Sequence, residues 1–160
     1  MQSLPLKYLG YTVAFQEVPD EVSLIINISG CPHKCEGCHS QYLWEYDGSY
    51  ISNDLQKLIN GYKDYITCVC FMGGEQNVEE LKQLLTSVKL AGYKTCLYSG
   101  LHTEDIKQLS ELYNVLDYLK IGDYQKDKGG LNEKTTNQKF YKIQNNILKD
   151  ITHIFQKEDK

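Results

Sequence analysis

Arginine is absent: all 17 basic residues of the 160 are lysine. No guanidinium is therefore available for bidentate recognition of a carboxylate or phosphate, and anions must be met by lysine, hydroxyl and backbone groups. A broad basic face is lacking as well. The formal net charge of -4 and a pI near 5.6 argue against nucleic acid or an anionic membrane as partner. No apolar run approaches the ~20 residues needed to span a bilayer, and residues 1–7 lack the apolar stretch of a signal peptide. A cytoplasmic location is the expectation. Internal repeats, low-complexity tracts and linker-like segments are missing too. What remains is an ordinary globular composition, 41% hydrophobic and 24% charged, expected to form one domain over residues 1–160 around one core.

Six cysteines are present, and in a reducing compartment they read as metal ligands, redox groups or small core residues rather than as disulfides. Residues 22–29 are β-branched and almost continuously apolar, the pattern of a strand buried on both faces of a parallel sheet. Residues 65–72, 94–98 and 115–121 repeat that pattern, and each strand runs into glycine: Gly30, Gly73 with Gly74, Gly100 and Gly122. Between them the period becomes helical. Val78, Leu81, Leu84, Leu85 and Val88 form one stripe, with Asn77 as N-cap, Glu80 placed for a capping box and Gly92 after the end. Leu55, Leu58, Ile59 and Tyr62 form a second stripe closed by Gly61, and Ile106, Leu109 and Leu112 a third behind a Thr103 cap. Alternating strand and helix imply α/β architecture with a mainly parallel sheet.

The chemistry concentrates in Gly30-Cys31-Pro32-His33-Lys34-Cys35-Glu36-Gly37-Cys38-His39, three cysteines at spacings of four and three after a strand. Soft thiolates so close select zinc, Cu(I) or an iron–sulfur cluster, and three of them leave one position of a four-site centre open. A closed zinc site would need a fourth ligand from His33, His39 or a distant cysteine. Cys68, Cys70 and Cys96 fall inside apolar strands and read as small buried hydrophobes, Cys68 and Cys70 on one face and Val69 on the other.

Cys-x-x-x-Cys-x-x-Cys after the first strand of an α/β chain resembles the cluster motif of the radical S-adenosylmethionine (SAM) superfamily. Gly37 before the third cysteine, His33, His39 and the downstream Trp44 resemble more narrowly the activating proteins of anaerobic ribonucleoside-triphosphate reductase. So does Thr136-Asn137-Gln138-Lys139, with lysine in place of the arginine of that family's tail motif. The resemblance implies a [4Fe-4S] cluster on Cys31, Cys35 and Cys38, with SAM chelating its unique iron. It implies that Gly73, Gly74 and Glu75 bind the SAM amino group, with Gln76 where many relatives have proline, and that Gly37, Cys38 and His39 line the adenine. It implies a single radical SAM domain, a partial, open (β/α) barrel, since 160 residues are too few for the ~250 of eight βα units.

The activity so implied is reductive cleavage of SAM and abstraction of a glycine hydrogen from a large anaerobic ribonucleotide reductase subunit, with a flavodoxin-like reductant. No catalytic residue beyond cluster and SAM is implied. Two other readings stay open: activation of a different glycyl-radical enzyme such as pyruvate formate-lyase, and a non-catalytic zinc or electron-transfer module. By position at strand ends, Ser99 and Asp123 are further candidates for SAM contact, the alternatives being a helix-opening serine and a turn-forming aspartate. His33 reads as an exposed loop imidazole. Residues 126–131 read as a solvated loop, a flap over the cluster or a docking surface.

Overall fold

The computed structural model describes residues 3–31, 33 and 41–156. Strand β1 (Lys7–Ala14) precedes β2 (Ser23–Ile28), β3 (Ser49–Tyr50) leads straight into helix α1 (Ile51–Tyr62), and β4 (Cys68–Met72) is followed by α2 (Val78–Leu90). Then come β5 (Lys94–Tyr98), a 3-10 helix over Thr103–Val115, β6 (Tyr118–Ile121), β7 (Lys139–Gln144) and β8 (Ile147–Asp150). The eight strands form one sheet in the order β3-β1-β2-β4-β5-β6-β7-β8.

The expectation of a mainly parallel sheet is corrected: the sheet is mixed. Only β2, β4, β5 and β6 run parallel, with Ile25 opposite Cys70 and Cys70 opposite Cys96. Both flanks are antiparallel, β1 and β3 on one side and β7 and β8 on the other. A short connection cannot return a strand to parallel, and β7 turns into β8 through Asn145 and Asn146, both at positive φ. Nor does the sheet close into a barrel: it is open, with β3 and β8 at its edges.

Alternation along the parallel strands separates two apolar layers. Val69, Phe71, Leu97 and Leu119 face α1 and α2 with Leu55, Leu81 and Leu85, all fully or almost fully buried. Ile25, Cys68, Cys70 and Cys96 face the other way, beneath Val18, Phe140 and Ile151. The three strand cysteines are thus core residues, as their setting implied.

The cap of α2 is half as expected. Asn77 Oδ1 accepts from the Glu80 amide at 3.2 Å, but Glu80 does not return the bond. Its carboxylate accepts instead from the Leu6 amide, 2.5 Å away. Gly61 lies inside the last turn of α1 rather than after it, and the third helical segment is 3-10 with His102, not Thr103, at the cap position. Among the described residues no helix is long and apolar enough to cross a membrane.

Candidate functional site

The carboxyl ends of β2, β4, β5 and β6 converge, and a cavity of about 220 Å³ lies there, lined by Cys31, Gly73, Glu75, Ser99, Gly100 and Lys120 among others. Each wall has a local cause. After β2, the buried Ser29 donates from its hydroxyl to the Asp47 carbonyl at 2.6 Å, while the Gly30 and Cys31 amides donate to Glu45 and Leu43. The chain leaves the strand already paired with residues 43–47, and that pairing carries Cys31, half-buried, to the cavity wall.

After β4, Gly73 and Gly74 stand at φ +94° and +119°, a pair of conformations that only glycine adopts freely. They turn the chain so that Glu75 points inward, its side chain 4% exposed. Glu75 Oε1 accepts from His33 Nε2 at 2.6 Å and from the Gly100 amide at 3.2 Å. Oε2 is buried and has no hydrogen-bond partner among the described residues. A buried orphan oxygen is costly, so it points to a donor that the described residues do not supply. Gln76 braces this turn, its side-chain oxygen accepting from the Gly74 amide and its nitrogen donating to the Ser29 carbonyl at 3.0 Å.

Ser99 is 1% exposed, donates its amide to the Lys120 carbonyl at 2.8 Å and accepts from the Leu101 amide at its hydroxyl. Lys120 is the site residue that sequence reasoning missed. Its signal is a lysine inside the otherwise buried Tyr118-Leu119-Lys120-Ile121, and its ammonium lies 5.6 Å from the Tyr98 ring centre. Tyr98 and Lys120 also line a larger cavity of about 910 Å³, whose far wall includes Lys126, Lys128 and Leu131. That wall is tied in place by the Lys128 and Gly129 amides on the Gln125 carbonyl and by the Thr136 hydroxyl on the Gly129 carbonyl.

Asp123 does not line the smaller cavity. Its carboxylate meets His102 Nδ1 at 2.9 Å and accepts from Gln125, while Asn137 donates to its carbonyl at 2.9 Å. Burial pushes the Asp123 carboxyl up, but the bonds from His102 and Gln125 outweigh it and leave it below its ordinary value. The hydrogen bond to Asp123 in turn raises His102. The tail motif at 136–139 therefore fastens the end of β6: Gln138 donates to the Gly122 carbonyl at 3.2 Å, and Lys139 stands 3.8 Å from Asp150. Of the sequence-predicted residues, Cys31, Gly73, Glu75 and Ser99 line one cavity, with Gly74 in its turn. Cys35, Gly37, Cys38 and His39 lie outside the described residues.

Residues 22–145 match the family described as a 4Fe-4S single cluster domain. The chain belongs to this family. The likeness to the reductase-activating proteins is borne out as well: the anaerobic ribonucleoside-triphosphate reductase-activating protein of Enterobacteria phage T4 is 32% identical over 113 residues, which are 65% of this chain and 72% of the relative. The family's description names a 4Fe-4S cluster, not the structural zinc site that spacing alone left open.

Proposed function

We propose that this protein is a radical SAM activase that generates a glycyl radical on the large subunit of an anaerobic ribonucleotide reductase. The observation that carries the reading is the buried, unpartnered Glu75 Oε2 on the same cavity as Cys31. The donor set fits the group. Cys31, with Cys35 and Cys38, would hold the cluster as thiolates, and Glu75 Oε2 is an acceptor suited to the ammonium of the SAM methionyl part. When bound, a reduced [4Fe-4S] cluster with SAM would supply reductive carbon–sulfur bond cleavage and, through it, hydrogen-atom abstraction from a glycine.

The chain's own residues bind and orient. Lys120 stands where it can receive the methionyl carboxylate, a task that falls to lysine in a chain without arginine. Ser99 has its hydroxyl proton available for the same carboxylate. The Gly73-Gly74 turn lets backbone approach the ligand closely, and the backbone of Gly37, Cys38 and His39 would border the adenine. Asp123, held by three side chains outside the cavity, would receive ribose hydroxyls that reach beyond its wall. The larger cavity adjoins through Tyr98 and Lys120 and suits a peptide loop of the partner, which would also exclude water. A flavodoxin-like protein in the cytoplasm is the proposed electron source.

Anaerobic reconstitution with iron and sulfide, then dithionite and SAM, tests the reading. The expected result is about four irons per chain and 5′-deoxyadenosine that vanishes in Cys35→Ala. Adding the reductase large subunit should then give a glycyl radical signal in electron paramagnetic resonance. Stoichiometric zinc with no SAM cleavage would overturn it.

A further inference from the structure

His33 lies between the first two cysteines, yet its ring is turned away from solvent, 19% exposed, onto the turns after β4 and β5. Its Nε2 is 2.6 Å from Glu75 Oε1. The ring packs against Gly100: a Cβ at Gly100 would come within 2.6 Å of His33 Cδ2 and 3.0 Å of Cγ. Gly100 thus leaves the slot that the imidazole fills, and its amide donates to the same Glu75 oxygen, 3.2 Å away. One carboxylate oxygen is saturated from two sides and its twin is left bare.

We propose that His33 is a positioning residue that fixes the Glu75 carboxylate so that Oε2 alone faces the ligand amine, and thereby ties the cysteine loop to the amine-binding turn. The inference rests on the reading of Glu75 as the amine acceptor. The argument is one of hydrogen-bond capacity. A carboxylate free to rotate presents either oxygen and loses orientational entropy on binding; with Oε1 held by two N–H donors that loss is already met in the folded protein. His33 holds the carboxylate without covering the cavity, since Oε2 stays unpartnered among the described residues. This bond joins residues 42 apart in sequence and adds a side-chain tie from inside the cysteine loop to the one that Gln76 makes at Ser29. The consequence is selectivity: His33 favours ligands that bring a primary ammonium and is indifferent to those that do not.

Two substitutions of equal reach separate this role from general support of the loop. His33→Phe fills the Gly100 slot and cannot donate, whereas His33→Gln places an amide N–H near Nε2. Both are reconstituted anaerobically, iron is counted, and binding is measured by equilibrium dialysis with SAM and with an analogue carrying hydrogen in place of the amine. The phenylalanine variant is expected to keep its iron and lose SAM affinity by about tenfold or more, the scale of one hydrogen bond to a charged group. The glutamine variant should recover to within about threefold, and the desamino analogue should bind both variants and the parent alike. Unchanged SAM affinity in the phenylalanine variant, no recovery with glutamine, or loss of iron in the phenylalanine variant would each overturn the proposal. Failure of the parent protein to bind SAM at all would instead overturn the reading beneath it.

Discussion

Gln76 shows how much one side chain carries. It bonds both the Gly74 amide and the Ser29 carbonyl, joining the turn after β4 to the strand that delivers Cys31. It stands where many relatives have proline, and its amide gives the turn rigidity by another route. Gln76→Ala removes two part-buried bonds and should lower stability by about 1–3 kcal/mol, read from urea denaturation of the iron-free protein. The strand cysteines behave oppositely. Burial raises the Cys68 and Cys96 thiols above their ordinary value, and neighbouring thiols add to the effect. Iodoacetamide at neutral pH should therefore leave peptides containing Cys68, Cys70 and Cys96 unmodified by mass spectrometry; rapid labelling there would contradict their burial. At this scale the sequence marked candidate residues, through spacing and residue type, and the structure gathers Cys31, Gly73, Glu75 and Ser99 on one cavity. It could not show that Gly100 leaves room for His33, because that slot joins two turns distant in the chain.

Helix α2 owes its start to Asn77, whose Oδ1 accepts from the Glu80 amide while its side-chain nitrogen donates to the Leu4 carbonyl. Asn77→Ala should cost about 1 kcal/mol from the lost cap, with a further decrement for the Leu4 bond, measurable as a lowered denaturation midpoint. The start of the 3-10 helix is tied differently, by His102 on Asp123. A raised histidine contributes fully below its ordinary value of 6.5 and loses its contribution as pH rises past the folded value; a lowered aspartate contributes fully above 3.8 and loses it as pH falls through the folded value. The pair therefore stabilises most between those limits. The melting-temperature gap between the parent and His102→Gln should be widest near about pH 5 and close on the alkaline side; a gap independent of pH would exclude the ion pair. Elements with continuous apolar runs were legible in the sequence, β5 to the residue. The flanking strands were not, because β1, β7 and β8 alternate or stand largely exposed, and their tyrosines and lysines match loops equally well.

For the whole molecule, this difference explains why the parallel block was foreseen and the mixed sheet was not. A buried parallel strand announces itself by hydrophobicity alone, whereas an antiparallel flank is specified by its partner's pattern. Phe140, on one such flank, is fully buried against Tyr98, Tyr118 and Phe155. Phe140→Ala should cost about 3–5 kcal/mol in equilibrium unfolding, as for a central core residue; a loss near zero would mean that the flank is an appendage.

The same design bears on how the chain is made. Residues 4–6 are fastened to residues that emerge much later: Leu6 to Glu80, Leu4 to Asn77, Pro5 to Tyr46. Closing a loop of 74 residues costs about 4 kcal/mol in chain entropy, and no bond rewards it until α2 has begun. The clasp on residues 4–6 is therefore complete only once α2 is present, although β1 itself can already pair with β2. Residues 4–6, held by these few distant bonds, should open early under a protease.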